Sequence, residues 1–236
     1  KIYGIMATII NIETSTSSCS LALASDGEIL FSACDPTGMN HAKLLGGYAK
    51  EAENVLKEKN LHLDAVCVSK GPGSYTGLRI GVSMAKGLCF GADAKLIAVD
   101  TLALIAHTAI KSGVVKPGAL VCPMIDARRM EVYASFFDDS LNQVRATSAD
   151  IIDENSYAEY LGSKEVFFCG NGSDKCQKVL TGANAKFIPN IIPLAENMVD
   201  LSERKYAEQK FEDVAYFEPE YVKEFVATVA KNKVLG

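Results

Sequence analysis

The chain has 236 residues, of which 48% are apolar, and this is enough for one large domain or two small ones around a substantial core. Its formal net charge of −5 argues against a surface built to neutralise many phosphates. Direct binding to duplex nucleic acid is therefore not expected.

The cysteines and histidines indicate neither a disulfide framework nor a zinc site. The seven cysteines are scattered without a CxxC pair, so we predict reduced core residues in a cytoplasmic protein. The three histidines fall in no HxxxH or HExxH spacing. No apolar run approaches the ~20 residues of a membrane span, and the first residues lack a signal-peptide pattern. We expect residues 1–5, which precede the first strand-like run, to be a remnant of cloning.

The first half predicts three antiparallel strands followed by alternating helices and strands. Asp26-Gly27 separates the second strand from the third and is a strong hairpin signal. Apolar residues at helical spacing indicate an amphipathic helix over 41–59. The predicted strands are 6–13, 18–25, 28–34, 64–69 and 95–99, and the later helices are the glycine-rich segment and 102–111.

The second half repeats this order, with strands at 118–126, 131–137, 143–149 and 165–170 and helices near 154–161 and 173–180. In each half a strand runs into a glycine loop, Gly71-Pro72-Gly73 or Gly170-Asn171-Gly172. We predict an α/β fold in which one unit of mixed sheet and flanking helices is used twice, over residues 6–112 and 113–236. Two unrelated α/β halves remain the alternative.

Residues 69–88, SKGPGSYTGLRIGVSMAKGL, place glycines inside a predicted helix, where each costs about 1 kcal/mol relative to alanine. The segment matches no standard phosphate loop. Thr76 stands where a Walker A loop needs glycine, and Gly77 comes one place too late for the dinucleotide fingerprint. Neither Ser74 nor Ser83 lies in a nucleophile elbow.

One side of this helix carries almost no side-chain bulk, because Gly77, Gly81 and Ala85 recur every four residues. Such a strip either packs on the chain's own sheet or meets a helix of another protein. We predict a partner surface shared with the preceding helix. Its predicted members are Leu44, Tyr48, Ala52, Val55, Gly77, Leu78, Gly81, Val82, Ala85 and Lys86.

Two groups of basic residues leave alternatives open. Lys70, Arg79 and Lys86 cluster with the glycine helix, and they either pair with acids on a partner or are ordinary surface charge. Arg128-Arg129 is predicted as a solvated hairpin turn, with binding of an anion or tRNA backbone as the alternative.

The segments GPGSYTGLRIGVSMAKGL, NIETSTSSCSLAL, HAKLL, MIDARRMEVYASF and PEYVKE closely resemble the bacterial TsaB family. The resemblance covers nearly all of residues 6–225. It implies the actin-like/Hsp70-like ATPase fold with a duplicated ribonuclease-H-like unit. It also implies a role in making N6-threonylcarbamoyladenosine in tRNA, as partner of the catalytic paralogue TsaD. TsaE joins the pair, and TsaC supplies the threonylcarbamoyl adenylate.

The chain departs from the catalytic members of that class at their functional positions. Thr101 and Ile105 stand where TsaD-type proteins carry two metal-binding histidines, and neither side chain can replace an imidazole. Asp126-Ala127-Arg128-Arg129 replaces a glycine-rich phosphate turn. The first phosphate turn survives only in outline, with Glu13 in place of the usual Asp. The resemblance therefore implies no catalytic residue, metal or cofactor of the chain's own.

Three functions follow as hypotheses. The first is a non-catalytic subunit that docks on TsaD, contacts tRNA only indirectly, and forms a homodimer through the same surface when isolated. The second is a glycoprotease-like metallopeptidase. The third is a stand-alone nucleotide-binding module, for which the vestigial loop residues would be Thr14, Ser15, Gly170 and Gly172.

Overall fold

The computed structural model describes residues 7–38 and 40–223, and its first half forms a five-stranded mixed sheet. The strands are β1 (Thr8–Glu13), β2 (Cys19–Ser25), β3 (Glu28–Asp35), β4 (Ala65–Gly71) and β5 (Lys95–Asp100). Their order is β3-β2-β1-β4-β5, with antiparallel β1–β2 and β2–β3 pairs and parallel β1–β4 and β4–β5 pairs. The predicted meander is confirmed, and residues 1–6 lie outside the described part.

Three helices cover this sheet: α1 (His41–Glu58), α2 (Tyr75–Ala92) and α3 (Thr101–Lys111). Ser74 caps α2 by accepting a hydrogen bond from the backbone N–H of Gly77, and Asp100 caps α3 in the same way through Ala103. Helices α1 and α2 share a core with one face of the sheet, represented by Ile10. The other face, represented by Ile9, packs against α3 and residues 198–211.

The second half forms a second five-stranded sheet. Its strands are β6 (Leu120–Asp126), β7 (Glu131–Asp138), β8 (Gln143–Ile151), β9 (Val166–Cys169) and β10 (Ala185–Ile188), and a short helix α4 (Ala158–Leu161) precedes β9. The order β8-β7-β6-β9-β10 repeats that of the first sheet, with the same parallel and antiparallel pairs. The predicted duplicated ribonuclease-H-like unit is confirmed.

Residues 173–188 of the second half differ from the sequence prediction in two places. The helix predicted over 173–180 is only a 3-10 turn, Asp174–Cys176, because the backbone here bonds three residues apart, as from Cys176 to Ser173. Strand β10 was not predicted, since its four residues carry too little periodicity to stand out.

The end of the described chain returns to the first sheet. A 3-10 turn (Ala195–Met198) and helix α5 (Val199–Ala207) place Met198 and Leu201 in the core with Ile9. Residues 213–223, which we call the strap, then run over the first half of the fold. The division into 6–112 and 113–236 stays a prediction. No helix within residues 7–38 and 40–223 has the length and apolar content to span a bilayer.

Candidate partner interface and adjoining cleft

A buried carboxylate, Glu13, ends strand β1. Its side chain is enclosed and accepts hydrogen bonds from Ser15 N at 2.6 Å and Ser15 Oγ at 2.5 Å, as well as from the Ser69 hydroxyl. Burial raises the pKa of Glu13 to about 7, although the bonds from Ser15 act in the opposite direction. Glu13 therefore holds the turn after β1 in place instead of facing a substrate.

This turn lies directly on helix α2, and the contact explains the inner glycines. Thr14 Oγ1 donates to the carbonyl of Gly77 at 2.8 Å, and Ser74 N donates to the carbonyl of Ser15 at 2.7 Å. A Cβ atom at Gly77 would overlap the Thr14 carbonyl oxygen, and one at Gly81 would overlap Thr14 Oγ1. The cost of these glycines is offset by the close approach of the turn to the helix.

The prediction that the smooth strip meets another protein is wrong, because the strip faces the chain's own β1 turn and sheet. Six of the ten predicted interface residues are buried within the chain: Ala52, Gly77, Leu78, Gly81, Val82 and Ala85. Three more, Leu44, Tyr48 and Val55, are partly buried against the first core. For these three, partner contact stays a prediction.

The basic cluster also pairs largely within the chain. Lys70 Nζ lies 2.6 Å from Glu220, and Lys86 Nζ donates to the carbonyls of Ala215 and Phe217 at 2.9 and 3.1 Å. Of the two alternatives left open for Lys70 and Lys86, pairing with acids of a partner is therefore not needed to account for them. These bonds fasten the strap to α2 and to the end of β4.

A second series of small residues faces outward on α2, and sequence reasoning missed it. Ser83, Gly87 and Gly91 recur every four residues and are exposed. A Cβ at Gly87 or Gly91 would meet nothing within 4 Å. On α1 the exposed Gly46 is equally open. The spacing was visible in the sequence, but periodicity alone does not show which of two small-residue faces points inward.

A groove of about 540 Å³ runs along this outer face between α1 and α2. It is lined by Ala42, Tyr75, Thr76, Arg79, Ile80, Ser83, Met84 and Gly87. Farther along α2, Phe90 is 89% exposed, which is unusual for a large aromatic residue. The groove and this face together form an exposed and largely apolar surface with little side-chain bulk at its centre.

A larger cleft of about 1010 Å³ opens between the two halves of the fold. The turn after β1, the start of α2, the β6–β7 turn and the end of the strap form its walls. The cleft and the groove share a wall at the start of α2, because both are lined by Tyr75, Thr76 and Ile80. Lys223 of the strap forms an ion pair with Glu131 of β7.

The β6–β7 turn is the predicted hairpin, with exposed side chains at Arg128 and Arg129. Both residues have positive φ, 74° and 50°, which is uncommon for residues other than glycine. Ala127 N donates to the carbonyl of Glu131 at 3.0 Å and closes the turn. Two bulky, exposed side chains therefore occupy this turn.

The four residues proposed for vestigial nucleotide loops have roles inside the chain. The Thr14 and Ser15 hydroxyls are buried in the bonds described above. A Cβ at Gly170 would overlap the Met124 carbonyl oxygen, and one at Gly172 would crowd Ile125. These contacts account for all four residues without a nucleotide, and their binding role stays a prediction.

The two residues that the sequence resemblance places at the metal-ligand positions of the catalytic paralogue lie in α3. Thr101 and Ile105 are both fully buried there. Within the described part of the chain, no three His, Cys, Asp or Glu side chains are grouped as metal ligands would be.

Comparison with known proteins adds the decisive observation. The family model described as TsaD, tRNA N6-adenosine threonylcarbamoyltransferase, matches residues 36–234. The chain belongs to this family and, within it, to the TsaB proteins.

Two curated relatives support this placement over nearly their whole length. The "tRNA threonylcarbamoyladenosine biosynthesis protein TsaB" of Escherichia coli (strain K12) is 29% identical in an alignment of 228 positions that covers 93% of this chain and 96% of the relative. The protein of the same name from Haemophilus influenzae is 28% identical in an alignment of 238 positions, gaps included, that covers 92% of this chain and 93% of the relative. Among solved structures, YeaZ from Pseudomonas aeruginosa matches with a TM-score of 0.74 and 25% identity, covering 92% of this chain and all (100%) of that chain.

Proposed function

We propose that the chain is a non-catalytic partner subunit of the bacterial threonylcarbamoyl transferase complex. It binds TsaD and supports formation of N6-threonylcarbamoyladenosine at adenosine 37 of tRNA. Its TsaB relatives, which match more than nine tenths of the chain, support the pathway.

The observation that carries the partner role is the outer face of α2. Ser83, Gly87 and Gly91 are exposed beside an apolar groove, so the backbone of a second helix can approach α2 closely. Because the TsaD family model matches this chain, the partner offers helices of the same fold. Pairing of equivalent helices from two related chains resembles a twofold interface.

The non-catalytic role rests on the residues at the catalytic positions of the paralogue. Thr101 and Ile105 are buried and supply no imidazole for a metal. Glu13 is enclosed by the serines that donate to it. This arrangement supports a scaffold over the glycoprotease-like alternative.

Further partners follow from the family. TsaE joins the heterodimer in a larger complex, and tRNA is reached indirectly, in keeping with the net charge of −5. A role in tRNA modification and the seven free cysteines both support a cytoplasmic location.

The test is a tRNA modification assay with purified components. TsaD, TsaC, TsaE and tRNA are incubated with and without this chain, and threonylcarbamoyladenosine is quantified by mass spectrometry. The proposal predicts modification only when this chain is present, and none with this chain in place of TsaD. Equal modification without it, or modification in the absence of TsaD, would exclude the partner role.

A further inference from the structure

We propose that Tyr221 of the strap is a positioning residue, which orders the groove wall formed by Tyr75 and Arg79 for partner binding. The inference rests on the proposed function, since it concerns the same surface. It assigns a role in binding to a part of the chain that sequence reasoning left out of the interface.

Three side chains form a small cluster at the start of α2. The rings of Tyr75 and Tyr221 lie 4.9 Å apart between centroids, at an interplanar angle of 34°. The Arg79 guanidinium carbon sits 4.4 Å from the Tyr75 ring centroid, and Arg79 Nε donates to the Tyr221 hydroxyl at 3.3 Å. Each member therefore contacts the other two.

The cluster joins the two surfaces. Arg79 lines the α1–α2 groove, Tyr221 lines the cleft behind it, and Tyr75 lines both. Tyr221 thus supports the groove wall from its cleft side. An occupant of the groove would touch Tyr75 and Arg79 directly.

The strap holds Tyr221 through the residue before it. Glu220 N donates to the Lys70 carbonyl at 2.8 Å, and the Glu220 carboxylate pairs with Lys70 Nζ at 2.6 Å. A Cβ at Gly71 would press on the Glu220 carbonyl oxygen, so glycine at this position permits the close approach. These backbone contacts fix where the Tyr221 ring can lie.

The physical consequence is preorganisation. A half-buried tyrosine and an exposed arginine lose their remaining side-chain freedom when a partner orders them, and this loss weakens binding. A stacked ring and a hydrogen bond that exist before binding remove part of that cost. Tyr221 therefore strengthens binding without contributing the contact itself.

The experiment measures the Kd for purified TsaD in a double-mutant cycle of Tyr221→Ala and Tyr75→Ala. Tyr221→Ala is expected to raise Kd about tenfold in the wild-type background but less than about twofold when Tyr75 is already alanine. Tyr221→Phe, which keeps the stack, should retain most of the affinity. Tyr216→Ala, on the same strap and 84% exposed, is the matched control and should bind like wild type.

The outcomes separate this inference from the function on which it rests. Absence of binding by the wild-type chain would overturn the proposed function. Wild-type binding with an unchanged Kd for Tyr221→Ala would overturn the positioning role alone. The same fold increase in both backgrounds would also overturn it, because Tyr221 would then act independently of Tyr75. A thermal midpoint measured for each variant excludes general unfolding as the cause of a weakened Kd.

Discussion

Glu13 is a buried carboxyl group whose ionised form destabilises the folded chain. Its carboxyl group is fully enclosed, and three hydrogen bonds from Ser15 and Ser69 reach it, yet desolvation still raises its pKa to about 7. The usual pKa of this carboxyl group is 4.5, so between about pH 4.5 and pH 7 Glu13 is mainly protonated in the folded chain and mainly ionised in the unfolded chain. Between these two values the folded state binds more protons than the unfolded state.

This difference predicts how stability depends on pH. The stabilising effect of Glu13 protonation is fully present below the unfolded pKa and is lost as pH rises through the folded pKa. The loss amounts to about 3 kcal/mol between about pH 4.5 and pH 7. Glu13→Gln, which is uncharged and similar in shape, should remove this dependence. Urea unfolding at several pH values should show the variant gaining stability over wild type as pH rises, and a constant difference would contradict the assignment.

The two kinds of glycine on α2 predict opposite effects of the same substitution. Gly81→Ala places a Cβ against Thr14 Oγ1 and should destabilise the fold by about 1–3 kcal/mol. Gly87→Ala meets nothing within 4 Å and should stabilise the helix by about 1 kcal/mol. Thermal unfolding of both variants checks the signs. Equal effects in the two variants would mean that the turn after β1 does not press on α2.

At the scale of elements, helix α2 shows what the sequence can and cannot predict. Its existence, its glycine loop and its small-residue spacing were all visible in residues 69–88. Its orientation was not, because Gly77, Gly81 and Ala85 repeat with the same period as Ser83, Gly87 and Gly91. The contact that decides between these faces comes from Thr14, more than sixty residues earlier. Long-range packing of this kind leaves no periodic signal.

The strap was missed for a related reason. Residues 213–223 contain no regular helix or strand and are held by side-chain and backbone bonds to α2 and β4. Helix α5 was missed because its short sequence, VDLSERKYA, is mostly polar and buries few residues. Both segments depend on a first sheet that forms from distant parts of the chain.

The bonds of Lys86 predict how firmly the strap is attached. Lys86→Met keeps most of the side-chain length but leaves the carbonyls of Ala215 and Phe217 without this donor. Hydrogen exchange should therefore become faster in peptides covering 213–223, by roughly tenfold if about 1.4 kcal/mol of local stability is lost. Lys57→Met, which removes only the exposed pair with Glu53, is the control and should leave the strap unchanged. Unchanged strap exchange in Lys86→Met would contradict the fastening role.

At the scale of the whole molecule, the fold is built from two five-stranded sheets of the same design. Each sheet has the same strand order, and the cleft lies between the two halves. Arg128, in the β6–β7 turn, lines this cleft. We propose that the outer helices of the first half, and not this cleft, form the surface for assembly.

The α1–α2 groove also predicts that two copies of this chain associate when TsaD is absent. We expect the isolated chain to form a homodimer through the α1–α2 groove, because removing an exposed apolar surface from water lowers the free energy of the system. Sedimentation equilibrium should give a dimer for wild type and a monomer for Gly87→Arg. A monomer for wild type, or a dimer for Gly87→Arg, would contradict this arrangement.

The most direct test of the central claim is the affinity of Gly87→Arg for TsaD. A Cβ atom at Gly87 meets nothing within 4 Å, so an arginine there starts into open space on the outer face of α2, which keeps the fold and blocks the surface. Gly182→Arg is the matched control, because Gly182 is an equally open glycine in the second half. Titration calorimetry should show that Gly87→Arg lowers the affinity for TsaD by at least about a hundredfold, because a bulky side chain then enters the core of the interface. Gly182→Arg should bind TsaD with wild-type affinity. Wild-type affinity for Gly87→Arg would show that the outer face of α2 does not bind the partner.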